Sequence, residues 1–128
     1  MTDLANAQSV AFVQVTDRAR GVAFYRDTLG MAHKSADDFG DAFDFGSGTM
    51  RLTALPDWKA GAHPVIGWEV ADIEVTVAAL KAKGIAMTIY DGMGMDEHGI
   101  WHAPDGHASL AWFLDPDGNV LMLSQHNQ

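Results

Sequence analysis

The sequence predicts an α+β fold built from two tandem βαβββ modules. Three observations carry this. Asp17 and Asp72 each stand where a helix should begin, 55 residues apart. Gly30 and Gly84 each stand where that helix should stop, 54 residues apart. A short β-rich run precedes each helix, and further short strands follow it. A repeat of this length is one supersecondary unit, and such a unit cannot bury its own sheet face. Two units together give a curved mixed sheet with helices outside and a concave groove inside. The expected organisation is a single domain, with module one at about 9–54, a linker at 55–64 and module two at about 65–125.

Each element has a local reason. Residues 10–15 (VAFVQV) are rich in β-formers and short enough for a strand. Asp17 is the helix N-cap. Val22, Tyr25 and Leu29 recur at helical spacing, and Gly30 is the stop. Strands are expected at 31–35, 42–45 and 49–54, with Gly40-Asp41 and Gly46-Ser47-Gly48 as turns. Pro56, Gly61 and Pro64 mark the linker. Residues 65–70 (VIGWEV) repeat the first strand, and Asp72 repeats the N-cap. Ile73, Val77 and Leu80 line one helical face. Strands then follow at 85–90, 99–102, 109–114 and 120–124. The last two flank Asp115-Pro116-Asp117-Gly118-Asn119. There proline presets φ, aspartate bonds its own backbone and glycine takes the positive φ that closes the turn. This is a hairpin and not a calcium loop, because the third acidic ligand and the closing glutamate are missing.

Composition narrows the function. The 128 residues are 48% hydrophobic and 20% charged, as in a globular domain. Eight Lys and Arg against 17 Asp and Glu give a net charge of −9. Phosphate backbones and anionic lipid would repel such a chain, so no nucleic-acid or membrane partner is expected. The absence of cysteine excludes a disulfide, a thiol nucleophile and a thiolate metal site. No apolar run reaches membrane length, and the first residues lack a basic stretch followed by an apolar one. The expected compartment is the cytoplasm.

Three features then converge: Phe24-Tyr25-Arg26-Asp27-Thr28-Leu29-Gly30, the βαβββ duplication, and Asp115-Pro116-Asp117-Gly118-Asn119. Together they resemble the vicinal oxygen chelate superfamily of glyoxalases, bleomycin-resistance proteins and extradiol dioxygenases. The likeness runs from about Val10 to Ser124. In its metal-dependent members the ligands come from the first and last strand of each module. The resemblance puts those places at Val10 and Val65, and at Arg51 and Met122. Valine has no donor, arginine is a cation, and methionine is too soft for hard cations. The resemblance therefore implies no family metal here, and no cofactor is expected. It also implies a homodimer.

Strand alternation describes the same face independently. It places Val10, Phe12, Gln14, Val65, Glu69, Arg51 and Met122 on the groove side. Apolar walls with a few polar groups suit a small-molecule ligand. Arg51 requires an acidic partner or an anionic ligand, and Glu69 is the expected partner. The 91–98 loop holds two glycines and two methionines able to drape over a ligand, and Trp101 beyond it offers a stacking surface. His98 and His102 are four apart, a spacing that suits metal only on a helix. On a strand four residues span roughly 13 Å, so no metal is assigned to them. His107 falls on a hairpin tip, while His33, His63 and His126 fall at element edges or termini. No serine is paired with a histidine by spacing alone. Two functions stay open: a metal-free binding protein, and a lyase, isomerase or dioxygenase-like enzyme using Glu69, His98 or His102 as base.

Overall fold

A computed structural model of the chain describes residues 3–127. The chain divides into two compact units between Trp58 and Lys59, within the segment read as a linker.

The first unit opens with a 3-10 turn, Leu4–Asn6, and runs β1 Val10–Val15, α1 Arg18–Ala23, β2 His33–Ala36, β3 Asp41–Phe45 and β4 Gly48–Ala54. Its sheet order is β1-β4-β3-β2, with β1 parallel to β4 and the other pairs antiparallel. Asp17 caps α1 by accepting the Arg20 N–H at 3.0 Å. The helix continues as a π-helical turn, Phe24–Thr28, that buries Tyr25 completely. Tyr25 packs edge-on to Phe24 and tilted over Phe43. Val22 and Leu29 are only half-buried, because the helix approaches the sheet at Gly21 instead. A Cβ there would lie 3.1 Å from Leu52 and Val15. The predicted strand at 31–35 starts later, since the Met31 N–H is used to close the helix end on the Tyr25 carbonyl.

The second unit runs β5 Pro64–Glu69, α2 Ile73–Ala82, β6 Ile100–His102, β7 Ala108–Leu114 and β8 Val120–His126. Its order, β5-β8-β7-β6, repeats the first, with β5 parallel to β8. Asp72 caps α2 by accepting the Val75 N–H. Ile73, Val77 and Leu80 are all buried, as their spacing predicts. Gly84 follows with φ +88°, and Gly30 holds the matching place after the first helix with φ +75°.

The predicted strand at 85–90 does not form. Only Met87 bridges to Phe113, and the Thr88 N–H donates to the Trp112 carbonyl. The Ile85 N–H goes back to the helix at Leu80, and the Tyr90 N–H goes to the Met95 sulfur. With its donors used by neighbouring elements, the segment cannot make a ladder. The edge of β7 is shared instead by Met87 and the three residues of β6.

In each unit the helix covers one sheet face. Val13, Val15, Phe43, Met50 and Leu52 form the covered side of the first, and Ile66, Ile100, Phe113, Leu121 and Leu123 that of the second. At about 25 cal/mol per Å² removed from water, these side chains supply most of the driving force for each module. Among the described residues no helix is long and apolar enough to cross a membrane.

Candidate functional site

Alternation leaves the second face of each sheet open. In the first unit, Phe12 lies opposite Arg51 and Gln14 opposite Thr53. The Thr53 hydroxyl donates to Gln14 Oε1 at 2.6 Å. Val10 and Phe12 are 49% and 63% exposed, a large apolar area left uncovered within the chain.

Arg51 is on this side, as expected, but its partner is Asp37 and not Glu69. Arg51 Nη2 donates to both Asp37 carboxylate oxygens, at 2.7 and 2.8 Å. Asp37 also accepts the N–H groups of Phe39 and Gly40. The Arg51 hydrogen bond, with the Phe39 amide next, holds the Asp37 carboxyl down at about 2. The pairing joins β4 to the turn that enters β3. Sequence spacing gave no hint of it, because any of several nearby acids could serve.

In the second unit Glu69 meets a different group. It accepts from Nδ1 of His126, a residue that its place near the chain end had marked as bland. Glu69 lies opposite Ser124 across the parallel β5–β8 pair, and His126 is two residues further along β8 on the same face. Gly67 lies opposite Met122, and Met122 opposite Trp112. Ser124 lies opposite Leu110, and Leu110 opposite Trp101. Glu69, Met122 and Trp101 thus share one face with Ser124 and His126, while Val65 stands at a shift in the β5–β8 register and is 40% exposed. Trp112 is nearly buried on that face, with Tyr90 packed edge-on against it at 5.4 Å.

Two polar clusters lie on the helix-facing sides. Asp41, buried, accepts from Arg18 Nε and from His33 Nε2 at 2.7 Å. Arg18 Nη2 also donates to the carbonyls of Asp37 and Gly40. Burial works to raise the Asp41 pKa, but the bonds from Arg18 and His33 outweigh it and leave the carboxyl below its ordinary value. His33, read from sequence as bland, is therefore a structural partner. A cavity of about 450 Å³ opens beside Arg18, Arg26 and Asp41. Its arginines are already engaged, Arg18 by Asp41 and Arg26 by Asp27.

The second cluster is Asp96, His102 and Ser109. His102 Nδ1 lies 3.0 Å from the Ser109 hydroxyl, and Nε2 lies 2.9 Å from Asp96. The residue types are those of a nucleophilic triad, but Ser109 is buried in the middle of a sheet and offers no substrate access. Asp96 also accepts the N–H groups of His98 and Ile100. Burial opposes ionisation of Asp96, yet the His102 bond and these amides bring its pKa below the ordinary value. The cluster pins the loop to β7. His98 turns away to the surface, where Nε2 lies 3.5 Å from Glu97. Among the described residues no three His, Cys, Asp or Glu side chains gather in a way that could hold a metal ion.

These two modules, with parallel first and last strands in each, match a known family. The model of the Glyoxalase/Bleomycin resistance protein/Dioxygenase superfamily fits residues 7–123. The chain belongs to that superfamily. No curated protein matches it. Among solved structures it is similar to a glyoxalase family protein from Bacillus anthracis, at 18% identity and TM-score 0.74, covering 99% of this chain and 100% of that one. It is similar to a genomically encoded fosfomycin resistance protein from Listeria monocytogenes, at 14% identity and TM-score 0.72, over 95% of this chain and 94% of that one. A lactoylglutathione lyase from Agrobacterium tumefaciens aligns at 18% identity and TM-score 0.70, over 94% and 93%. At these identities the likeness speaks for the fold and leaves the chemistry to the side chains. Val10 and Val65 carry no metal donor, and Arg51 is a cation already bonded to Asp37.

Proposed function

We propose that this superfamily member binds a small organic molecule on its open sheet faces and holds no metal at the family's ligand places. One observation carries the reading. The chain leaves Val10 and Phe12 in the first unit and Val65 in the second exposed, at or beside the places where the resemblance puts the family's metal ligands. Leaving such side chains in water is unfavourable, and a ligand that covers them gains about 25 cal/mol per Å² of apolar area. Gln14 shares the face of Phe12 in the first unit, and Glu69 and Trp101 supply a polar and a stacking group on one face of the second.

The test combines metal analysis of purified protein with thermal-shift scans against divalent cations and a panel of apolar and aromatic ligands. The expected result is no stoichiometric metal, no stabilisation by cations and a raised melting temperature with ligands. One equivalent of tightly held zinc, nickel, iron or manganese that is lost on mutating open-face residues would overturn it. The same reading includes a homodimer, which a monomeric mass in light scattering at micromolar concentration would refute.

A second reading, a lyase, isomerase or dioxygenase-like enzyme, draws support from the Glu69–His126 pair on the open face. A histidine oriented by a carboxylate is a common general base. Turnover of an enolisable or oxidisable substrate that disappears in His126→Ala would favour it over simple binding.

A further inference from the structure

We infer that the Glu69–His126 pair is a recognition element for an acidic hydroxyl group, and that the second module takes a flat aromatic molecule carrying one. This rests on the small-molecule reading above and names the ligand class for one of its faces.

The argument begins with register. Glu69, Ser124, Leu110 and Trp101 lie in one row across β5, β8, β7 and β6. Neighbouring strands are about 4.8 Å apart, so the row spans roughly 14 Å. One end is an exposed carboxylate bonded to an imidazole, and the other is a half-buried indole. The next row begins with Gly67 and Met122. Gly67 stands two residues before Glu69 on the open face and leaves a gap in the row of side chains. A Cβ there would meet the Met122 carbonyl oxygen at 3.0 Å, so the gap is not readily filled. A flat ring system can therefore lie over Gly67 and Met122, with Trp112 next in that row and Trp101 at the end of the adjacent one.

The polar end has a defined chemistry. His126 Nδ1 faces Glu69, and a carboxylate accepts hydrogen bonds and does not donate them. The ring therefore carries its proton on Nδ1 when neutral, which leaves the lone pair on Nε2. Among the described residues Nε2 has no other hydrogen bond. A lone pair beside an apolar floor selects a donor. A phenol-type O–H is the best match, because it is a strong donor attached to a flat apolar ring. The Glu69 carboxylate strengthens the acceptor, since it stabilises the positive charge that the imidazole gains as it draws on the ligand proton.

The test uses 2-naphthol and its methyl ether, 2-methoxynaphthalene, which share the ring system and differ in the donor. Binding is read by calorimetry and by quenching of tryptophan fluorescence, in wild type, His126→Ala and Glu69→Gln. Both residues are exposed, so circular dichroism should show unchanged folding. Wild type is expected to prefer 2-naphthol about tenfold. His126→Ala should abolish the preference and Glu69→Gln should reduce it, while both variants bind the ether as wild type does. Equal affinity of wild type for the two probes would overturn the inference and leave the small-molecule reading standing. A preference that survives in His126→Ala would also overturn it. Failure of wild type to bind either probe would refute the inference and its apolar floor together.

Discussion

The turn between β7 and β8 offers a stability prediction whose size can be worked from contacts. Asp115 is buried and accepts three hydrogen bonds, from the N–H groups of Asp117 and Asn119 at 2.9 Å and from Asn119 Nδ2 at 2.8 Å. Asp115→Ala removes both acceptor oxygens and with them these three bonds. Asp117 is half-exposed, so its amide can turn to water at little cost. Asn119 is 1% exposed, so its amide and side-chain NH₂ lose their Asp115 acceptors where water cannot readily replace them. Each buried donor that loses its acceptor costs roughly 1–3 kcal/mol, which puts the loss for the two at about 2–6 kcal/mol. The assay is urea unfolding followed by tryptophan fluorescence, and the midpoint should fall with an unchanged slope. Asp115→Ala/Asn119→Ala removes one of the two stranded donors and should recover part of the loss. A single variant within 0.5 kcal/mol of wild type, on the order of an ordinary surface substitution, would refute the claim that these bonds hold the turn.

Three further predictions follow from the polar clusters. Asp37 ionises near 2 in the folded chain against 3.8 ordinarily, so its contribution to stability is present above about pH 4 and is lost as pH falls towards 2. Carboxyl chemical shifts should show this low midpoint in wild type and a return towards the ordinary value in Arg51→Met. Arg18→Lys should destabilise by about 1–3 kcal/mol in chemical unfolding, because an ammonium cannot reach Asp41 and the carbonyls of Asp37 and Gly40 with one fork. Asp96→Ala should speed hydrogen exchange at the His98 and Ile100 amides by about tenfold or more, and unchanged rates there would show that His102 and Ser109 hold the loop without it.

Much of the fold was legible because its signals are local. The Asp17 and Asp72 caps bond amides three residues away, and a window of four residues contains the whole interaction. Strand faces were legible because side chains alternate with a period of two, which sends Met50 and Leu52 inward and Thr49, Arg51 and Thr53 outward. The segment 85–90 was misread for the converse reason. Its residues favour a strand, but ladder formation depends on where its N–H groups find acceptors. Those acceptors lie in α2, in β7 and in the Met95 side chain.

The candidate site divides along the same line. The sequence by itself determined the repeat, the two capped helices and the strand faces, since each follows from spacing or from residue chemistry. Only the tertiary structure decided who pairs with whom. Arg51 takes Asp37, 14 residues away, and Glu69 takes His126, 57 residues away. His33 joins Arg18 on Asp41, and Ser109 meets His102 inside a sheet. The physical reason is that a charge or a lone pair specifies the kind of partner it requires and not its position in the chain. Several acids could have satisfied Arg51, and the strand register brings one of them within reach.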